Sequence, residues 1–329
     1  MTTKLRGIVH TAEFYQQLLV VEANRLKVTY KAYIAEETKG NTKFDFGNGI
    51  EIMLFGISNF MRLHVDFIEL LNDPVVNENN LIEINKSLND ICDGIFYYED
   101  KKLVLSRYDV RLDVEFADKK SVETMIRLLE GSIQKIGRMQ RVSNPYYLGK
   151  SLIYKSEAKR STMGINIYDK EQERRDKARL NGRIPDITEY EENVLRFEVQ
   201  LHNPHLNYKK RYHGSYKELE TYLDTTVSKG YMLKYIYPIV YAGDYYSLKA
   251  ARRLMKEKGM KKSEMDKLVE FLRFSEKYDL SKAKEKYGRY KYETYTARLN
   301  SMGINPVIIP KPMKMDRFEN PFFEYFDKD

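Results

Sequence analysis

The sequence predicts an α+β protein, with an antiparallel-sheet domain over residues 1–210 and a mostly helical, basic domain over residues 211–329. Three observations predict it. Residues 104–116 and 194–201 alternate apolar and polar side chains with a period of two, as half-buried strands do. Asn48-Gly49 stands between two apolar runs, the favoured composition of a tight hairpin turn. After about Asn203 the chain turns Lys-rich and Tyr-rich with helical spacing.

Taken in order, residues 12–22 read as a helix and 24–36 as a strand. Residues 44–55 read as a hairpin about Asn48-Gly49, and 61–70 alternate as a strand. Residues 78–92 carry Leu81, Ile84, Leu88 and Ile91 at helical spacing. Residues 104–116 give the clearest strand. Residues 121–136 read as a helix with Ser121 as N-cap and Glu123 and Glu130 on its polar side. Residues 146–155 and 162–170 form a long hairpin around the polar turn 156–161. It runs into a charged helix, 171–180, that Asn181-Gly182 and Pro185 end. The last stretch, 305–329, is extended and Pro-punctuated; it packs back on the body or trails as a tail.

Composition excludes several function classes. The 329 residues hold 56 Lys+Arg and 48 Asp+Glu, a net charge of +8 that permits a polyanionic partner without demanding one. The single cysteine, Cys92, rules out an intrachain disulfide framework and a Cys-built zinc site. No apolar run reaches signal-peptide or membrane-spanning length. Full GxxxxGK(S/T) phosphate-binding loops and GxGxxG, HExxH and GxSxG motifs are missing. The expectation is a cytoplasmic protein that does not use nucleoside triphosphates. The unusual count is 27 Tyr and 15 Phe with no Trp.

Splitting each strand by face gathers chemistry on one side. Residues 106–116 put Arg107, Asp109, Arg111, Asp113 and Glu115 opposite an apolar row. Residues 195–202 put Arg196, Glu198, Gln200 and His202 opposite Leu195, Phe197, Val199 and Leu201. His64 and Asp66 face away from Leu63 and Val65, and Asn166, Tyr168 and Lys170 from Ile165 and Ile167. If the strands share a sheet, its polar face collects Asp66, Asp109, Glu198, His64, Tyr168 and Lys170. Carboxylates with an imidazole suit a hard divalent cation such as Mg²⁺ or Mn²⁺. A tyrosine hydroxyl, with an ordinary pKa of about 10, becomes a nucleophile only beside a base or a cation, and Lys170 is in position to be that cation. A sheet with one solvated face shows the same alternation, and most tyrosines pack rather than react. The repeated Arg-x-Asp and Arg-x-Glu speak for a site. His202 is placed to line it, His205 and His213 read as loop residues, and His10 has no visible partner.

The segments Leu105-Ser-Arg-Tyr-Asp109, Gly164-Ile-Asn-Ile-Tyr-Asp-Lys-Glu171 and Leu195-Arg-Phe-Glu-Val-Gln-Leu201 resemble three blocks of rolling-circle replication initiators, above all the filamentous-phage gene II type. Related plasmid initiators and the relaxases of some integrative elements look similar. The resemblance covers about residues 44–210; the first forty residues depart from the family's opening. It implies a metal-dependent, site-specific DNA nickase with Tyr168 as nucleophile. It further implies Mg²⁺ or Mn²⁺ on Asp109, Glu198 and Asp66, a 5′-phosphotyrosine intermediate, and a 3′-OH that primes a host polymerase. The His-hydrophobic-His metal motif of many such nickases is replaced here by His64-Val-Asp66, which makes the metal site more acidic. Lys170, Arg107 and Arg196 are candidates for phosphate contacts or for ion pairs with neighbouring acids. The implied partners are a single-stranded or extruded DNA origin and host polymerase and helicase, with no membrane; a homodimer is compatible.

In the basic half, residues 280–304 resemble a helix-turn-helix, with a short helix ending at Gly288 and a second running to Leu299. The second helix would offer Lys291, Tyr292, Tyr295 and Arg298 to phosphates and bases. A plain helical hairpin with solvated lysines fits the same pattern. The alternatives in function are a conjugative-type relaxase, a non-catalytic origin-binding protein and a tyrosine-rich single-strand binder.

Overall fold

The computed structural model describes residues 4–6, 9–38, 40–98, 101–142, 151–156, 161–322 and 325. Its strands are β1 (Lys4–Arg6), β2 (Val9–Gln17), β3 (Ile34–Thr38), β4 (Asn41–Asp45), β5 (Ile50–Phe55) and β6 (Phe60–Asp66), followed by β7 (Val104–Glu115), β8 (Lys135–Ile136), β9 (Met139–Val142), β10 (Ser151–Ser156), β11 (Met163–Asp169) and β12 (Val194–His202). They pair antiparallel in the order β3-β4-β5-β6-β2-β7-β12-β11-β10-β9-β8, with β1 also on β7. The long strands β7 and β12 lie at the centre. The α+β class is as the sequence predicts.

The N-terminal reading is corrected. Residues 9–17 are strand, not helix, and 20–29 are helix, not strand. β2 fills the gap between β6 and β7, so pairing on both edges overrides local propensity. The 44–55 hairpin forms, but Gly47 and Gly49 take the positive φ angles, not Asn48. Gly49 lies so close to the backbone of Asp66 that a Cβ there would sit 2.5 Å from its carbonyl oxygen. The strand expected over 61–70 stops at Asp66. Its carboxylate accepts from the N–H groups of Ile68 and Glu69 and starts the short helix Phe67–Leu71.

A helix over Leu81–Asp93 buries Ile84, Leu88 and Ile91. The next helix, Lys119–Glu130, is capped by Asp118 rather than Ser121, while Glu123 and Glu130 are exposed as expected. β10 and β11 form the expected hairpin; residues 146–150 and most of its turn lie outside the described residues. A charged helix, Lys170–Leu180, follows β11 directly.

Chain beyond residue 203 is mostly helical, and its first helices close the sheet's apolar face. Tyr222 packs on Tyr108 of β7, and Phe322 on Phe197 of β12. Residues on both sides of 210 therefore share one continuous apolar cluster. The C-terminal stretch packs back, burying Ile304, Val307, Ile308 and Ile309. The opposite, polar face of the sheet is left for chemistry.

Candidate active site

The polar face is not a solvated surface. Asp109, Arg111 and Asp113 of β7 and Arg196 and Glu198 of β12 are all buried, each exposing 4% or less. Charges this deep require partners, and the registers supply them. Tyr168 pairs with Arg196 across β11–β12, and Arg196 with Asp113 across β12–β7. Arg196 grips Asp113 through Nε at 2.8 Å and Nη2 at 2.9 Å. Arg107 holds Asp109 in the same two-pronged way, at 3.0 and 2.6 Å, and Thr11 adds a hydroxyl at 2.9 Å.

At the middle of this face the Tyr168 hydroxyl donates to Glu198 Oε1 at 2.5 Å. Burial, and then the Glu198 charge, push the Tyr168 phenol well above its ordinary range, while Arg196 opposes them. Tyr168 is therefore a neutral phenol with a carboxylate acceptor already in place and a guanidinium beside it. Burial also disfavours the Glu198 carboxylate, but His10, the Arg196 charge and the Tyr168 hydrogen bond together outweigh it and hold Glu198 well below the usual carboxylate range. Asp66 follows the same balance, with its capping N–H bonds adding to the effect of His10.

His10 is the residue that sequence reasoning missed. Its Nδ1 lies 3.0 Å from Glu198 Oε1, its Nε2 3.5 Å from Asp66 Oδ2 and 3.2 Å from Arg196 Nη1. The β2–β7 register slips between Val9 and Thr11, so His10 is the extra residue of a bulge. A bulge lets consecutive side chains share a face: His10 reaches Glu198 and Thr11 reaches Asp109. An isolated histidine in a stretch that reads as helix carries no signal of this.

The other expected residues are placed as follows. His64 lines the same cleft but faces Glu13, 3.8 Å away, and burial pulls its imidazole below its ordinary range. Lys170 is buried at the start of the charged helix, with Nζ 3.0 Å from Glu173 and 3.6 Å from Glu191. It lines the cleft, yet the cation that opposes the rise of the Tyr168 phenol is Arg196. His202 pairs across from Arg107 at the end of β12. His205 lies in a helix rather than a loop, 2.9 Å from the Tyr231 hydroxyl. The cleft is open, with a volume of about 760 Å³, and its walls come from the 44–55 hairpin, the charged helix and β10. Among the described residues no three acidic, imidazole or thiol groups stand ready-made around one point. Asp66, Glu198 and His10 do touch in series, and two carboxylates with an imidazole are a donor set that fits a hard divalent cation.

The helix-turn-helix segment bends at Gly288, where φ is 72° and ψ 160°, inside Leu280–Asn300. Its expected reading face is corrected. Tyr292 is buried with its hydroxyl on that of Tyr241, and Tyr295 packs on Phe271 at 5.5 Å. Lys291 remains exposed, and Arg298 pairs with Glu264 at 2.7 Å. The two tyrosines turn inward because the helix needs an apolar stripe to pack on its neighbour.

A family model for the N-terminal part of the phage gene II replication-associated protein matches residues 53–219, just over half of the chain. The chain belongs to this family. It is accordingly a rolling-circle replication initiator of the filamentous-phage gene II type, a role that entails binding DNA. The initiator's matched span contains Asp66, Asp109, Tyr168 and Glu198, whereas His10 lies before it. No curated protein is a significant match. Among the described residues no helix of the initiator is long and apolar enough to cross a membrane.

Proposed function

We propose that the protein nicks one strand at a replication origin through Tyr168 and holds the cut end as a phosphotyrosine. The observation that carries the reading is the 2.5 Å hydrogen bond from the Tyr168 hydroxyl to Glu198 inside the cleft. Tyr168 Oη attacks the phosphorus, the bond from phosphorus to the 3′ oxygen breaks, and the phenol proton leaves along its hydrogen bond to Glu198, which relays it on rather than keeping it. The products are a 5′-phosphotyrosine and a 3′ end that takes up a proton to become a hydroxyl. Arg196, fixed by Asp113, favours the phenolate and the charge that builds on the phosphoryl oxygens. Asp113 thus acts through Arg196 and touches no reacting atom.

Asp66, Glu198 and His10 are the residues that would hold Mg²⁺ or Mn²⁺. Such an ion supplies Lewis-acid polarisation of a phosphoryl oxygen. Asp109, clamped by Arg107 and Thr11, sets the floor of the cleft beside them. No nucleotide is consumed, because the phosphotyrosine keeps the energy of the broken diester for rejoining.

The test is a covalent-adduct assay with Mn²⁺ and an origin-containing DNA. Wild type should yield a protein–DNA adduct at the new 5′ end, and Tyr168→Phe should yield none while folding normally. An adduct formed by Tyr168→Phe would place the nucleophile elsewhere.

A further inference from the structure

The helix that leaves the central strand carries an arrangement that packing does not explain. The helix Asn203–His213 buries one residue, Leu206, and ends at Gly214 in the left-handed conformation. Tyr208, Tyr212 and Tyr216 follow at intervals of four and expose 52%, 62% and 65% of their surface. Aromatic side chains that large are normally drawn into a core or an interface. Tyr208 and Tyr212 lie 5.0 Å apart between ring centres, and Arg211 sits 5.4 Å over the Tyr212 ring. Lys209, Lys210 and Arg211 fall between Tyr208 and Tyr212 in the sequence, and residues 202–217 contain no Asp or Glu. Among the described residues these three cations form no ion pair.

We infer that this segment, Tyr208 to Tyr216, is a docking track for single-stranded DNA that enters or leaves the cleft. Rings spaced along a cation-rich, acid-free strip match a ligand with flat bases and a continuous row of phosphates. A duplex offers such rings no unstacked base. The strip follows the central strand directly: four steps of strand and six of helix lead from Glu198 to Tyr208, a path of about 22 Å along the chain. The inference rests on the nicking reading above for the direction of the DNA, but its test needs no cleavage.

Full-length protein is titrated, without divalent metal, into a labelled oligothymidine of about 20 nucleotides and into a duplex of the same length, with binding read by fluorescence anisotropy. Replacing Tyr208, Tyr212 and Tyr216 together by Ala should weaken oligothymidine binding at least tenfold, since each stacked base contributes measurably. It should leave duplex binding within twofold. The corresponding triple Phe variant should bind like wild type. Replacing Lys209, Lys210 and Arg211 by Ala should reduce the slope of log affinity against log salt by about 2. If the Ala variant, with an unchanged melting midpoint, binds oligothymidine like wild type, the track is refuted and the nicking reading stands. If the Phe variant is as weak as the Ala variant, the contact is not stacking and the proposal falls. If wild type does not bind oligothymidine at all, the track is refuted, while the nicking reading is judged separately by the adduct on origin-containing DNA.

Discussion

Asp113→Asn removes one negative charge from between two buried guanidiniums. Arg196 grips Asp113 with two hydrogen bonds, and Arg111 Nη1 lies 3.5 Å away. The arginine side chains expose 1% and 0%. Burial disfavours the Asp113 carboxylate, but Arg111 and Arg196 outweigh it and hold the group below its ordinary range. Removing one member of a buried pair strands the other, which costs about 3–5 kcal/mol. Asparagine keeps one acceptor oxygen, so about 3 kcal/mol is expected. With a urea slope of roughly 3 kcal/mol/M, that is a midpoint lower by about 1 M. Arg111→Met is the contrasting variant. It loses the Nη2 hydrogen bond to the Pro74 carbonyl and one of the two cations on Asp113, but Nε and Nη1 of Arg111 have no hydrogen-bond acceptor among the described residues and the Arg196 grip on Asp113 remains, so a smaller loss of about 1–2 kcal/mol is expected. Urea unfolding followed by circular dichroism reads both. A midpoint shift for Asp113→Asn below about 0.3 M, or an equal shift for Arg111→Met, would refute the reasoning.

Chelation by EDTA should abolish nicking of an origin plasmid, and Mg²⁺ or Mn²⁺ should restore it; undiminished nicking in EDTA would remove the metal from the reaction. Burial pulls the His205 imidazole down to about 4. The unfolded chain therefore binds a proton there below pH 6.5 that the folded chain refuses until about pH 4. Stability from this group is complete above pH 6.5 and is lost as pH falls from 6.5 to 4, by roughly 1–2 kcal/mol after allowing for its partial exposure. His205→Asn should flatten that part of the stability–pH curve, and an unchanged curve would contradict the assignment. Gly288→Ala should cost about 1–3 kcal/mol in thermal unfolding, because its φ and ψ lie where only glycine rests easily, although open space surrounds it. A neutral result would mean that the bend relaxes into a continuous helix.

The strands whose two faces differ in polarity were legible in the sequence. Period-two alternation placed Asp109, Glu198 and Tyr168 on one face, and β7, β11 and β12 are neighbours with that face in common. Illegible was whatever depends on pairing between distant segments. Nothing local says that residues 9–17 insert between β6 and β7, or that a bulge turns His10 toward Glu198. The sequence also could not tell a solvated polar face from a buried one, since Arg-x-Asp looks alike in both. Burial follows from the hairpin and charged helix that wall the cleft. Tyr292 shows the reverse error: a tyrosine in a basic helix reads as a DNA contact, yet helix packing claims it for the core.

The insertion of β2 has a consequence for how the protein is made. The site joins His10 to Glu198, so its parts span most of the first two hundred residues, and the strand supplying His10 waits for β6 and β7 to be synthesised before its two edges are paired. Contacts of that sequence separation form slowly. A partly translated or truncated chain that stops before β12 holds neither Arg196 nor Glu198, so on the nicking proposal the protein gains the means to cut DNA only once nearly all of its sheet is assembled.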